Sequence, residues 1–299
     1  MLDVVIIGSG PAGITAAIYA KRANLNVAVV EKEYLGTGQI AESSRVDNYP
    51  GIPGIDGYSL GEKFREHAES LGVEFTEAQV LSLGQKDGIW IIGCDEDITL
   101  ESKAVIYATG CKNRPLGVPG EEKYYGRGLS FCAVCDGAFY KGKSVAVIGG
   151  GDTALDDAMY LSDICEKVYL VHRREFFRGS ASTLEKLKQK ENVEIIVNAR
   201  VEEITGDKKI DGIILDNKTK LNISGLFTAV GMVPQTELLK EFGVLDESNY
   251  VKASEDTKTT VNGLFVAGDV RTKQLRQVVT AAADGANAIY SVMEYLRNI

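Results

Sequence analysis

Two cysteines separated by two residues stand directly before an aspartate in the run Phe131-Cys132-Ala133-Val134-Cys135-Asp136-Gly137. That spacing lets the sulfurs of Cys132 and Cys135 meet in a small ring, so the pair can be oxidised and reduced with little movement of the backbone. Thiolate formation is eased in such motifs, which speeds exchange with another disulfide. Asp136 is placed to deliver or remove a proton if burial raises its pKa. Two plainer explanations compete, a chance pair of buried thiols and half of a zinc knuckle. The chain holds five cysteines and two histidines; Cys94, Cys111 and Cys165 are scattered, and no second CxxC or His pair completes a zinc site. No metal is expected, and an odd, scattered set of thiols argues against a secreted disulfide framework.

The second chemical signal is glycine, placed twice in the same context. Val4–Ile7 runs into Gly8-Ser9-Gly10-Pro11-Ala12-Gly13, a helical stretch from Ile14 to Ala23, and a strand Val27–Val30 ending at Glu31. Val145–Ile148 runs into Gly149-Gly150-Gly151-Asp152-Thr153-Ala154, a helical stretch to about Ser162, and Val168–Val171 ending at His172. Gly8 to Glu31 and Gly149 to His172 are each 23 positions apart. Both read as βαβ units in which the first glycine allows a tight turn and the second lets backbone approach a pyrophosphate. The third position, Gly13 or Ala154, lets helix and strand pack closely, and the pyrophosphate sits on the helix N-terminus. One such motif alone is weak; two in βαβ context, each with a polar residue ending the second strand, are specific.

What ends the second strand separates the ligands. Glu31 can accept hydrogen bonds from an unphosphorylated adenosine ribose, which suits FAD or NAD. The other unit continues His172-Arg173-Arg174-Glu175-Phe176-Phe177-Arg178, with arginines where a 2′-phosphate would lie. The planar fork of arginine suits phosphate, so this half is expected to take NADPH.

These residues need elements to position them. Lys103–Gly110 reads as a strand ending in a small-residue turn, Gly263–Asp269 as another, Leu226–Gly231 as a third, and Leu275–Leu296 as a long helix. The fold class is α/β, with two Rossmann-like, three-layer ββα dinucleotide-binding domains, the second inserted into the first. The flanking domain is expected over 1–113 and 245–299 and the inserted one, carrying the CxxC pair, over 114–244. One flavin must then serve a nicotinamide and a disulfide that both belong to the insert, either on opposite ring faces or by rotation of the insert.

Length and composition agree with two soluble domains: 299 residues, 44% hydrophobic and 25% charged, with a net charge of −9. No basic tract suggests nucleic acid, and no apolar run approaches a membrane span. The start, Met1–Gly8, reads as a strand entering a glycine turn without a signal peptide, so a cytoplasmic location is expected.

Taken together the motifs resemble the low-molecular-weight thioredoxin reductase family. They are Gly8–Gly13 with Glu31, the Gly36-Thr37-Gly38-Gln39 loop, Val46–Gly51, Ala108-Thr109-Gly110, Cys132–Asp136, Gly149–Ala154, His172–Arg178 and Gly263–Arg271 followed by Leu275–Ala282, in order over nearly the whole chain. The resemblance implies that Gly8, Gly10, Gly13, Glu31, Gln39, Asn48, Gly268, Asp269, Arg276, Gln277 and Val278 contact tightly bound FAD, with Pro11, Ala12, Gly38, Thr109 and Gly110 beside them. It implies that Gly151, Asp152, Thr153, His172, Arg173, Arg174 and Arg178 hold NADPH as substrate. Cys135 would lie nearest the flavin with Cys132 as its disulfide partner, and Asp136 would be the general acid. Such enzymes are homodimers that reduce thioredoxin. The alternatives keep the chemistry and change the partner: ferredoxin as donor, or another thioredoxin-like or peroxidase-linked disulfide protein as acceptor. A nucleotide-binding sensor without turnover is a further class, against which the cysteine pair with Asp136 argues. The chain departs from the family in Thr37, which separates glycines that are often adjacent, in Val134 for a common Thr, and in Thr153 for a common Ser.

Overall fold

The computed structural model describes residues 1–33, 37–43 and 45–299; Gly36 of the expected flavin loop lies outside them. The chain forms two compact units, 1–112 with 233–299, and 113–232.

The first unit opens with β1 (Leu2–Ile7), α1 (Pro11–Arg22) and β2 (Val27–Glu31), followed by α2 (Gly57–Ser70), β3 (Glu74–Glu77), the hairpin β4 (Val80–Lys86) and β5 (Ile89–Cys94), and the long β6 (Thr99–Tyr107). Its sheet runs β3-β2-β1-β6-β5-β4. β1 lies parallel between β2 and β6, with Val4 opposite both Val27 and Ala104. Covered on both faces, β1 is a continuous Val/Ile run rather than an alternating one.

In the second unit come β7 (Cys111–Asn113), where the chain crosses over, β8 (Leu129–Ser130), the single-turn α3 (Ala133–Asp136), β9 (Ser144–Gly149), α4 (Asp152–Ser162), β10 (Lys167–His172), α5 (Ala181–Lys188) and β11 (Val193–Val197). The strands β12 (Val201–Thr205), β13 (Gly212–Leu215) and β14 (Lys220–Asn222) precede β15 (Gly225–Ala229) and the return strand β16 (Met232–Pro234). β11-β10-β9-β15-β8 form a parallel sheet. One of its faces packs on α4 and α5 through Leu155, Leu161 and Leu187, and the other meets the antiparallel β12-β13-β14 through Ile204, Ile213 and Leu221. This is the ββα layering expected from sequence. The duplication extends to register: β1 sets Val4 against Val27, and β9 sets Val145 against Val168 at the same offset.

Back in the first unit, β17 (Leu264–Val266) pairs parallel with the end of β6, and α6 (Val278–Leu296) closes the fold. Ala12, Ala16, Ala20, Ala281 and Ala288 share one core cluster, and small side chains bring α1 and α6 so close that a Cβ on Gly285 would lie 2.2 Å from the Ala12 carbonyl oxygen. No helix among the described residues is long and apolar enough to cross a membrane.

Two expectations are corrected. The return to the first unit, expected near residue 245, comes at Val233. The 3-10 turn Glu237–Phe242, expected in the inserted domain, points Leu239 inward, where Leu239 and Val244 join a core cluster with Trp90 and Val266. The Gln235 N–H also donates to the Gly110 carbonyl. The last helix begins at Val278 rather than Leu275. Gln277 is an extended N-cap, and Arg276 is drawn away from helical geometry by reaching the carbonyls of Asp269 and Arg271.

Candidate dinucleotide and dithiol sites

In the first unit the chain turns at Gly8, where φ is +103° and a Cβ would lie 2.6 Å from the Ala108 carbonyl oxygen, so only glycine fits. A Cβ on Gly13 would lie 1.9 Å from the Gly8 carbonyl oxygen, and α1 can sit this close to the turn only without one. Gly10 is different: the nearest protein atom to its Cβ position is 3.8 Å away, so protein packing does not demand glycine there. Gly10 is the N-cap of α1, no side chain caps the helix, Pro11 is its first residue and Ala12 is buried. Unsatisfied N–H groups at such an end suit an anion.

At the end of β2, Glu31 accepts from the Ser9 N–H at 2.8 Å and the Ser9 hydroxyl at 3.0 Å through Oε2, and from the Lys32 N–H through Oε1. A carboxylate has about four lone-pair sites, so capacity remains for ribose hydroxyls. The turn after β17 brings Gly268 (φ +84°) and Asp269 to the same unit. Asp269 Oδ1 is buried without a hydrogen-bond partner among the described residues, and burial raises its pKa against the pull of Lys273 and Arg276. The Asn48 amide donates to Gln277 Oε1 at 2.8 Å, joining two expected site residues 229 positions apart. Val278 packs with Ile40, Val46 and Leu60 beside the 3-10 turn Gly38–Glu42 that carries Gln39. Thr109 is occupied within the protein, its hydroxyl donating to the Gln235 carbonyl at 2.7 Å, and Gly110 next to it takes φ of +68°. Arg276 lies 4.3 Å over the Tyr250 ring. An uncapped helix start, an acid ending β2 and a buried carboxylate oxygen awaiting a donor fit FAD. Thr37 is buried against α2, where the Cβ position of Gly61 lies 2.4 Å from Thr37 Cβ.

The second unit repeats the cradle with other details. A Cβ on Gly149 would meet the Ala229 carbonyl at 2.5 Å and the Ala154 Cβ at 2.6 Å, so Ala154 does here what Gly13 does in the first motif. Gly151, the N-cap of α4, has no protein atom within 4 Å of its Cβ position. Asp152, in the first turn of α4, accepts from the Ser180 N–H at 2.7 Å, and the Arg178 N–H donates to the Gly150 carbonyl at 2.7 Å, so the 173–180 loop is folded against the helix start. His172 is buried; its ring fills the space a Cβ on Gly150 would need, and its Nε2 lies 3.2 Å from the Phe176 carbonyl. Burial lowers the His172 pKa, as do Arg173, Arg174 and Arg178, so the ring is a neutral brace of the loop. Thr153 and the three arginines are exposed, and the arginines make no ion pair among the described residues. They are available to an anionic ligand.

The dithiol lies in the same unit. Cys132 and Cys135 are joined in a disulfide, with Cα atoms 5.3 Å apart. Cys132 caps the one-turn α3, its Sγ accepting from the Cys135 N–H at 3.2 Å. Burial raises the pKa of Asp136, partly offset by the Ser130 hydroxyl, which donates to Asp136 Oδ2 at 2.6 Å. The same Ser130 oxygen accepts from the Cys132 N–H at 3.1 Å, tying the acid to the disulfide. Ser130, Ser9 and Ser180 are site residues the sequence reading did not single out; each is a common residue whose partner is known only once the chain is folded. Among the described residues no group of three or more His, Cys, Asp or Glu could hold a metal ion.

Comparison with known proteins agrees with this arrangement. Residues 2–285 match the family described as pyridine nucleotide-disulphide oxidoreductase. The thioredoxin reductase of Bacillus subtilis is 38% identical over 305 residues, spanning 99% of this chain and 95% of that protein. That of Helicobacter pylori is 39% identical and covers both chains completely. The crystal structure of thioredoxin reductase from Streptococcus pyogenes superposes with a TM-score of 0.94 at 39% identity, covering 100% of this chain and 99% of that one. With two dinucleotide cradles and a CxxC disulfide in one chain, the protein belongs to the low-molecular-weight thioredoxin reductases, the branch of the pyridine nucleotide-disulphide oxidoreductases that uses FAD and NADPH to reduce a disulfide.

Proposed function

We propose that the protein reduces thioredoxin or a thioredoxin-like protein in the cytoplasm, as a homodimer, with Cys132, Cys135 and Asp136 carrying the dithiol chemistry. The observation that carries this reading is the Cys132–Cys135 disulfide held beside a partly buried acid in a chain with two dinucleotide cradles. The first unit is the FAD-binding domain, through Gly8, Gly10, Gly13, Glu31 and Asp269; the second is the NADPH-binding domain, through Gly151, Asp152, Thr153, Arg173, Arg174 and Arg178. When bound, FAD supplies a two-electron relay between nicotinamide and disulfide. The protein's part is positioning and proton supply. Breaking the S–S bond takes two electrons, which bound FAD would supply; Cys135 would be the sulfur that receives them, and protonated Asp136 would give its proton to the departing Cys132 thiolate. The dithiol then passes both electrons to the acceptor disulfide by thiol–disulfide exchange, regenerating Cys132–Cys135. Val134, between the two cysteines, and Phe139, four residues after Cys135, are exposed apolar side chains that support a protein acceptor. Unpaired Cys94, Cys111 and Cys165 suit a reducing compartment.

The test is a rate comparison in which NADPH, NADH and reduced ferredoxin are offered as donors to wild type and Cys135→Ser. Thioredoxin reduction driven by NADPH and absent from the variant is expected. Turnover with ferredoxin alone, or an active variant, would sink the assignment. Sedimentation of the holoenzyme checks the dimer.

A further inference from the structure

Three charged side chains meet in the interior of the first unit. Asp284 stands midway along α6 and Arg271 and Lys273 follow β17; their side chains are 3%, 3% and 6% exposed. Asp284 Oδ2 accepts from Arg271 Nε at 2.8 Å, Lys273 Nζ at 2.9 Å and the Gly268 N–H at 2.9 Å, while Oδ1 accepts from Arg271 at 2.7 Å. Arg271 also donates to the carbonyl of Thr272 at 3.0 Å and, at 3.3 Å, to the exposed Glu255. Burying three charges is costly unless each is hydrogen-bonded, and such groups contribute less to stability than an apolar core of the same volume. The pairing here is therefore informative for what it fixes in place.

It fixes the loop from Gly268 to Gln277, which holds Asp269, Arg276 and Gln277. Gly268, whose N–H is bound by Asp284, directly precedes Asp269 with its unpartnered Oδ1. Lys273 is the shared member: it donates to Asp284 and its charge also acts on Asp269.

We infer that Asp284, Arg271 and Lys273 form a buried latch that holds the Gly268–Gln277 loop and so positions Asp269 for a hydroxyl or N–H donor of FAD. The inference rests on Asp269 being a flavin contact. The groups facing Asp269 are Lys273, Arg276 and Asp284, together with Cys111, whose thiol donates to the Asp269 carbonyl, and Tyr250 beside it. Burial pushes Cys111 up to about 11 and raises Tyr250 as well, so neither titrates below neutrality. Lys273 and Arg276 favour the charged form of Asp269, while burial and Asp284 oppose it. Removing Lys273 therefore moves the Asp269 pKa upward.

The test uses the holoenzyme and reads FAD release on dilution as the gain in free-flavin fluorescence, from roughly pH 9 to pH 5. Asp284→Asn strands Arg271 in the interior and endangers folding, so the working variant is Lys273→Met, which keeps the Arg271–Asp284 pair. Lys273→Met is expected to release FAD more readily than wild type at every pH, because the loop loses one of its ties to Asp284, with the gap widening on acidification. For each unit by which the Asp269 pKa rises, FAD affinity below that pKa falls about tenfold. Lys273→Arg restores the wild-type profile. Asp269→Asn weakens FAD without this pH dependence, and adding Lys273→Met to it changes nothing further. Wild-type retention of FAD by Lys273→Met, or additive losses in the double variant, would overturn the inference. Wild-type retention of FAD by Asp269→Asn would instead remove the flavin contact on which it rests.

Discussion

Replacing Gly151 with alanine separates a glycine needed for folding from one needed for a ligand. Its φ is −98°, which any residue adopts, and no protein atom lies within 4 Å of the Cβ position. The fold loses only the advantage of glycine over alanine as an N-cap, about 1 kcal/mol or less, so the melting temperature should fall by no more than about 4 °C. The ligand loses more. On the proposed NADPH assignment, a methyl at the start of α4 would occupy the space through which a pyrophosphate oxygen would approach the helix N–H groups. Losing one charge-assisted hydrogen bond costs about 1.5–3 kcal/mol, equivalent to a roughly 10- to 150-fold weaker NADPH Kd. Gly150→Ala is the contrast, since its Cβ would lie 2.2 Å from the buried His172 ring; it should damage the second unit before any ligand is added. Stopped-flow bleaching of the flavin against NADPH concentration gives the affinity, and thermal melting of the ligand-free protein gives the stability. If Gly151→Ala bound NADPH within about twofold of wild type, the cradle assignment would be wrong.

Three further outcomes are expected. Gly13→Ala should destabilise the first unit by about 1–3 kcal/mol or more, because its Cβ would lie 1.9 Å from the Gly8 carbonyl oxygen; the check is denaturant unfolding together with FAD content. Arg173→Ala with Arg174→Ala should weaken NADPH roughly 10- to 100-fold through lost charged hydrogen bonds and leave NADH nearly unchanged, which KM values for the two donors will show. Asp136→Asn should slow dithiol oxidation and reduction by about 100-fold while stabilising the protein at neutral pH. Burial raises the folded-state pKa of Asp136 above 3.8, so its contribution is complete below that pH and is lost as pH rises through the folded value. The stability difference should accordingly vanish in acid, and a gap that widens there would contradict the burial argument.

Local features were readable in the sequence. Gly13 against the Gly8 carbonyl and Gly149 against Ala154 are contacts within one βαβ unit, so the spacing locates turn, helix and strand, whereas the pressure of Ala108 on Gly8 and of Ala229 on Gly149 comes from distant strands. Glu31 and the arginines after His172 are likewise fixed by where the second strand ends. Residues whose purpose depends on distant partners were not readable. Asp284 looks like an ordinary polar helix residue until Gly268, Arg271 and Lys273 are brought to it. Ser130 gains meaning only when the one-turn α3 folds Asp136 back onto it. The return point was missed because Leu238, Leu239 and Phe242, which pack on the core, are interleaved with exposed Glu237, Lys240 and Glu241. His172 was read as a ligand contact, and its ring is also a brace between Gly150 and the Phe176 carbonyl.

The packing of Thr37 on Gly61 has a consequence for protein engineering. A branched residue fits in the flavin loop because the facing helix offers only a hydrogen atom, so the two positions form one unit of inheritance. Grafting α2 from a relative with any larger side chain there would push the loop outward, and restoring glycine at 37 alone would open a void beneath it. Chimeras of these reductases should therefore exchange both segments together, and a library that recombines them independently should be depleted in the mismatched pairs.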